Sequence, residues 1–289
     1  MNGFDIGSDA LIPPSEIYSG GPPKDGIPAI DKPKFQAIAE AKELKPDDFV
    51  LGLSHNDIVR AYPIAIMNWH EIVNDRYGGE PVVVTYCPLC GSGVAYTARA
   101  GGMELELGVS GLLYNSDVLL YDRQTESLWS QMMSQAVTGS MQGARLKMLP
   151  LAHTSWSEWV AEHPDTLVLS RKTGFSKDYS RDPYAGYVDS AGVFFPVAKK
   201  DPRYHPKERV LGVELEGKFR AYPFSELSRT EGTIKERFAG HELTLRYNPK
   251  GRSARVFDAD GSEVPTITSF WFAWYAFHPE TEVYRAPEK

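Results

Sequence analysis

Cysteine is scarce in this chain: only Cys87 and Cys90 occur among 289 residues. A pair so close in sequence cannot staple distant elements, which excludes the disulfide framework of a small secreted protein. Positive charge is also in short supply, with 31 Lys and Arg against 38 Asp and Glu and no basic cluster. That removes the electrostatic footprint of a nucleic-acid binder, so no nucleic-acid partner is expected. The longest strongly apolar run, FWFAWYAF at 270–277, falls far short of the roughly 20 residues that cross a bilayer as a helix. No transmembrane segment is expected. Neither a glycine-rich phosphate loop nor a Gly-x-Ser-x-Gly elbow is present, which leaves nucleotide use and α/β-hydrolase chemistry without support. The opening residues MNGFDIGSDALIPP lack the basic and apolar regions of an export signal.

What is present begins with glycine and proline, 25 and 21 residues spread along the chain, which favour short strands and turns over long helices. An internal repeat organises the rest. The segment VLGL…RAYP at 50–63 returns at 210–223, as VLGV…RAYP, and RYGG…YCP at 76–88 returns as RFAG…YNP at 237–249, an offset of 160 to 161. A third block, WSEW…HPDT at 156–166, returns as WFAW…HPET at 271–281, and there the offset drops to 115. The first copy therefore carries about 46 residues that the second lacks.

The expected fold is α+β and strand-rich, with two homologous lobes from an internal duplication and an insertion elaborating the first. The domain reading is an extended, Pro-rich N-terminal lead (1–48) with one helical stretch at 35–44, a first repeat lobe (49–170), an inter-repeat connection (171–208) and a second lobe without cysteines (209–289). In each lobe two strands joined by a tight turn precede a proline, Pro63 or Pro223, suited to the first position of a short helix. His163 and His278 recur in both copies and read as helix-end residues, and the Trp pairs 156/159 and 271/274 as core.

The copies differ where chemistry is concerned. Cys87-Pro88-Leu89-Cys90 faces Asn248-Pro249-Lys250-Gly251 in the second copy, so function is sought in the first. A β-branched strand leads into Cys87, and two glycines within three residues after Cys90 argue against the helix that follows a thioredoxin-like pair. Strand, Cys-Pro-x-Cys-Gly, strand is instead the pattern of a metal knuckle, in which Gly supplies positive φ. With no second cysteine pair, another donor must close the shell, and His70 is the nearest candidate. Two thiolates and an imidazole suit one transition metal ion, copper first, then zinc, then iron. In the inserted segment, the turn Tyr114-Asn115-Ser116-Asp117 places Asn115, Ser116 and Asp117 where they orient a ligand, or act as ordinary turn residues. Met132, Met133, Met141 and Met148 are soft donors or core fillers. Two alternatives stand beside a metal-binding protein: a thiol–disulfide oxidoreductase in which Cys87 attacks and Cys90 resolves, and a non-catalytic binding module with structural cysteines. Whether the chain is an enzyme stays open.

With YCPLCGSGVAY, SGLLYNSDVLLYDRQTESLWSQ, DYSRDPYAGY and FWFAWYAFHPETEVY in view, the chain resembles the bacterial family catalogued as domain of unknown function 3179, from about Gly20 to Tyr284. The resemblance implies an exported protein, periplasmic or extracellular, whose signal peptide has been removed; Cys87, Cys90 and His70 match its core motifs. It implies no particular activity.

Overall fold

The computed structural model describes residues 1–230 and 232–287. Its main elements are β1 (Phe49–His55), β2 (Ile58–Pro63), α1 (Ile64–His70), β3 (Ile72–Tyr77), β4 (Glu80–Cys87), β5 (Ser92–Thr97), β6 (Leu107–Tyr114), β7 (Asp117–Asp122), β8 (Ala152–Ser155), α2 (Trp156–Glu162) and β9 (Leu167–Leu169). After a connection with no helix or strand come β10 (Arg209–Leu215), β11 (Lys218–Pro223), α3 (Phe224–Leu227), β12 (Thr233–Phe238), β13 (His241–Asn248), β14 (Ser253–Phe257), β15 (Ile267–Phe270), α4 (Trp271–Phe277) and β16 (Glu282–Val283). Strands dominate and the helices are short, as an α+β reading expects.

Local sequence dictates the hairpins. The two-residue turns Asn56-Asp57, Asn115-Ser116 and Glu216-Gly217 all take positive φ at both positions, the geometry whose twist matches antiparallel strands. Two expectations change. The stretch 35–44 is not a helix: Phe35–Ala37 is a strand paired with β9, followed by one 3-10 turn, Ile38–Glu40. Strand pairing there overrides a weak helical propensity. Pro63 and Pro223 end their strands and stand one residue before their helices, as N-caps.

The two β-β-α units share details beyond sequence. Trp159 packs on Gly52 and Trp274 on Gly212, so closely that a Cβ at either glycine would fall within 2.3 Å and 2.1 Å of the indole. Each indole N–H donates to a threonine, Thr166 or Thr281, at 3.0 Å. His163 and His278 are the C-cap residues of α2 and α4 and lie 4.1 and 4.3 Å from those indoles. Arg60 and Tyr62 converge on Asp75, as Arg220 and Tyr222 do on Glu236.

The units do not stand apart. An eight-stranded sheet runs in the order β16-β11-β10-β15-β5-β4-β3, with Lys147–Leu149 also on β5, and so takes strands from both units. The join between β5 and β15 is narrow, Thr268 opposite Gly93, and is extended by the Phe270 N–H donating to the Cys90 carbonyl at 2.7 Å. The insertion forms a second sheet, edged by Ile17–Ser19 of the N-terminal lead, in which β6 and β7 pair antiparallel and aim their Asn115-Ser116 turn at the end of β4. The largest hydrophobic cluster includes Cys87, Leu89, Cys90, Val109, Leu120, Trp129 and Trp274, so the thiols lie in the core where insertion and both units meet.

Candidate metal centre

β4 delivers Cys87 at its last position, and β5 starts at Ser92, directly opposite it. The intervening turn closes through Gly91 at φ 59°. A Cβ there would lie 2.8 Å from the Phe270 ring, so both backbone and packing require glycine. Below the turn, Gln131 ties the strands together: its Nε2 donates to Thr85 Oγ1 at 2.9 Å and its Oε1 accepts from Ser92 Oγ at 2.7 Å. The turn is thus held rigid by a satisfied buried polar network.

Both cysteines are free thiols, 2% and 0% exposed. Cys90 Sγ donates to the Ser116 carbonyl at 3.4 Å and Cys87 Sγ approaches the same oxygen at 3.9 Å. The insertion then supplies a third donor. Cys87 Sγ, Cys90 Sγ and a carboxylate oxygen of Asp117 all lie within 4.8 Å of one another, and all three residues are buried. Asp117 Oδ2 accepts from the Met132 N–H at 3.2 Å, while Oδ1 has no partner within the described residues. Burial pushes the Asp117 carboxyl up to about 7, and both thiols are raised for the same reason, Cys90 the more.

A second carboxyl lies alongside. Glu71 caps the C-terminus of α1 in the left-handed region, φ 58°, and is 6% exposed. Its carboxyl group makes no hydrogen bond among the described residues, and burial with the neighbouring Asp117 charge raises it to about 8. Three acidic groups therefore meet in a core position, with the buried Glu71 carboxyl within electrostatic reach of them. The connection 171–208 covers them: Tyr184, whose hydroxyl acidity is suppressed by burial and then by Glu71 and Cys87, and Tyr187, by burial and then by Cys90 and Cys87. The Tyr187 hydroxyl has no hydrogen-bond partner among the described residues. Lys207, 5% exposed, lies 3.7 Å over the Tyr187 ring and donates to the Ser190 and Gly192 carbonyls at 3.2 and 2.5 Å. Burial lowers its pKa, and the Cys90 charge opposes that shift.

His70 does not close the site. Its Nδ1 donates to the Pro28 carbonyl at 2.7 Å, which leaves Nε2 to accept from the Tyr179 hydroxyl, also at 2.7 Å. Both ring nitrogens are spent, and the imidazole packs on Phe175 rather than on the thiols. Glu71, the residue after the expected ligand, takes the left-handed conformation and is the one whose carboxyl feels the Asp117 charge. Asn115 serves as a clasp: Oδ1 accepts from the Ala198 N–H at 2.8 Å and Nδ2 donates to the Ala276 carbonyl at 3.4 Å. Ser116 contributes its main-chain oxygen, and its buried hydroxyl has no partner among the described residues. Met132 and Met141 are in the core cluster and Met148 packs against it, while Met133 packs on the cluster beneath the insertion sheet, so all four fill core volume.

Glu71, Tyr184, Tyr187 and Lys207 were missed from sequence. The motif DYSRDPYAGY at 178–187, which has no counterpart in the second copy, is the signal that points to the tyrosines.

Fold and site together define a strand-rich α+β protein with a buried dithiol–carboxylate centre at the junction of an inserted hairpin and two similar units. A family model described as a protein of unknown function (DUF3179) matches residues 24–281, and the chain belongs to that family. Comparison with curated proteins and with solved structures finds no match. Among the described residues, no helix is long and apolar enough to cross a membrane.

Proposed function

We propose that this is a metal-binding protein whose ion is held by the Cys87 and Cys90 thiolates and the Asp117 carboxylate. The observation that carries the reading is the convergence of those three buried donors within 4.8 Å. A cation also resolves the electrostatics: it lets acidic groups that burial otherwise protonates shed their protons and coordinate. A divalent ion with two thiolates and one carboxylate carries one net negative charge, which the buried Lys207 ammonium balances. Replacing the expected imidazole by a carboxylate moves the preference away from copper(I), toward zinc or ferrous iron, because a hard oxygen joins two soft sulfurs. Three protein donors leave a tetrahedral ion one open position, the arrangement of a catalytic rather than a structural zinc.

The geometry disfavours the oxidoreductase reading. An attacking thiol needs exposure and a depressed pKa, whereas these are buried and raised, and β5 rather than a helix follows Cys90. The test is elemental analysis of protein purified without added metal, alongside Asp117→Asn. About one zinc or iron per chain, lost in the variant, is expected; a chain free of metal that also fails to take up zinc or iron on titration overturns the reading.

We also infer that the two β-β-α units descend from one duplicated segment, with 1–48, 49–170, 171–208 and 209–289 as the parts of the chain. The paired Trp-on-Gly, Trp–Thr and Arg–Tyr–carboxylate contacts support this. Export to the periplasm or beyond is proposed on the family resemblance alone; fractionation of cells expressing the full gene tests it.

A further inference from the structure

A separate group of chemistry-bearing side chains lies away from the thiols, where the units meet. Phe49 opens β1 and Arg209 opens β10, so they occupy matched positions. The Arg209 guanidinium stands 4.5 Å from the Phe49 ring centroid, and that of Arg252, in the turn after β13, stands 3.9 Å from it. His153 of β8 meets the same ring edge-on at 5.3 Å and the Tyr86 ring at 6.1 Å. One phenyl ring thereby gathers two guanidinium groups and an imidazole.

Among the described residues no carboxylate pairs with them. Elsewhere, partly buried arginines have acidic partners: Arg60 has Asp75, Arg220 has Glu236 and Arg255 has Glu263. Here the arginine hydrogen bonds run to main-chain carbonyls, Arg209 Nη1 to Arg252 at 3.1 Å and Arg252 Nη2 to Asp47 at 2.9 Å. Arg209 Nη2 and His153 Nδ1 are both buried without a partner among the described residues, and His153 is 8% exposed. Burial takes the Arg209 pKa down to about 10, Arg252 pushes it the same way, and only Tyr86 and Tyr247 oppose. Stacking on Phe49 recovers only part of the hydration that a buried guanidinium gives up. A negative group beside it would supply the rest.

We propose that Arg209, His153 and Arg252 form a binding site for a small oxyanion, the carboxylate or phosphoryl group of a ligand, at the seam between the units. The guanidinium fork presents paired donors that match either group. Arg252 is exposed and marks the side from which the anion enters.

The test is thermal unfolding of the full chain at constant ionic strength in chloride, acetate and inorganic phosphate. Phosphate or acetate is expected to raise the midpoint saturably above chloride, the stronger of the two identifying the group. Arg209→Gln and, separately, Arg252→Gln are each expected to weaken the effect about tenfold, as loss of a charge-assisted donor does. Equal stabilisation by all three anions, or an undiminished effect in Arg252→Gln, overturns the proposal; that exposed position keeps the test valid if Arg209→Gln fails to fold. A selenate-soaked crystal is expected to show anomalous density beside the Arg209 and Arg252 guanidinium groups, and an ordered water alone in that place counts against the site.

Discussion

The turn after β4 and the turn after β13 are the same piece of backbone put to two uses. Each closes through a fourth residue in the left-handed region, Gly91 at φ 59° and Arg252 at φ 50°. Each receives an N–H from the residue before the other unit's helix: Phe270 donates to the Cys90 carbonyl at 2.7 Å, Ser155 to that of Gly251 at 3.2 Å. In the second turn the space is plugged. Glu158 of α2 enters it, accepting from Asn248 Nδ2 at 2.8 Å and from Ser253 Oγ at 2.7 Å, while Asn248 Oδ1 accepts from the Lys250 and Gly251 N–H groups at 3.0 and 3.2 Å. In the first turn the matched helix position is Ala273, which offers no polar atom, and two thiols and Asp117 fill the place instead. A self-satisfied turn needs no guest. The turn whose thiols and carboxylate have no cation in direct contact among the described residues is the one we propose receives a metal ion.

The comparison breaks first at the thiols. Cys87→Ser and Cys90→Ser are each expected to lower zinc affinity by more than about 100-fold, since loss of even an outer-shell partner costs 10- to 100-fold; equilibrium dialysis against a chromogenic chelator measures this. The matching changes at Asn248 leave affinity alone.

Next comes pH. Asp117 and Glu71 titrate near 7 and 8 when folded, above the ordinary carboxylate range near 4. Between those limits the folded apo chain binds more protons than the unfolded one, so its stability is full below about pH 4 for these groups and falls as pH rises to about 8. Zinc is expected to reverse the slope, because binding displaces those protons and strengthens with pH. Buried histidines with lowered pKa, among them His153 and His278, add a rise up to about pH 6.5. Urea titrations at several pH values, with and without zinc, therefore compare the chain with Asp117→Asn/Glu71→Gln; an apo stability difference between the two that does not change from pH 5 to 8 contradicts the assignment of these two groups.

The plugged turn gives a smaller effect. A Cβ at Gly251 would sit 1.6 Å from Glu158 Oε2, so Gly251→Cys is expected to cost about 1–3 kcal/mol, and adding Glu158→Ala should relieve part of that in a double-mutant cycle. Smallest on metal affinity is His70→Gln. It changes zinc binding by less than about threefold yet loses about 1–3 kcal/mol of stability, because the Pro28 carbonyl and Tyr179 hydroxyl lose well-placed partners. A His70 variant with no measurable affinity would return that residue to the centre.

Much of the fold was readable because its signals are local. Two-residue turns between alternating runs and repeated Trp-x-x-Trp blocks announce hairpins and helices without reference to the rest of the chain. The stretch 35–44 misled because its strand is set by β9, more than a hundred residues away. At the site, Cys87 and Cys90 were legible as the chain's entire cysteine content, and Asp117 was visible within a polar turn. Glu71 was hidden by its neighbour, since sequence shows that His70 and Glu71 adjoin but not that one is spent on Pro28 and Tyr179 while the carboxyl of the other feels the Asp117 charge. Tyr187 and Lys207 come from a connection with no periodicity, and only the folded chain brings them over residues about a hundred positions earlier.

The Cys90 carbonyl that holds Phe270 makes the thiol turn a hinge-pin between the halves. An ion bound there, as proposed, would also clamp β5 to β15, so that occupancy and cohesion of the two units would become a single mechanical quantity. Its loss would loosen the molecule at its narrowest join.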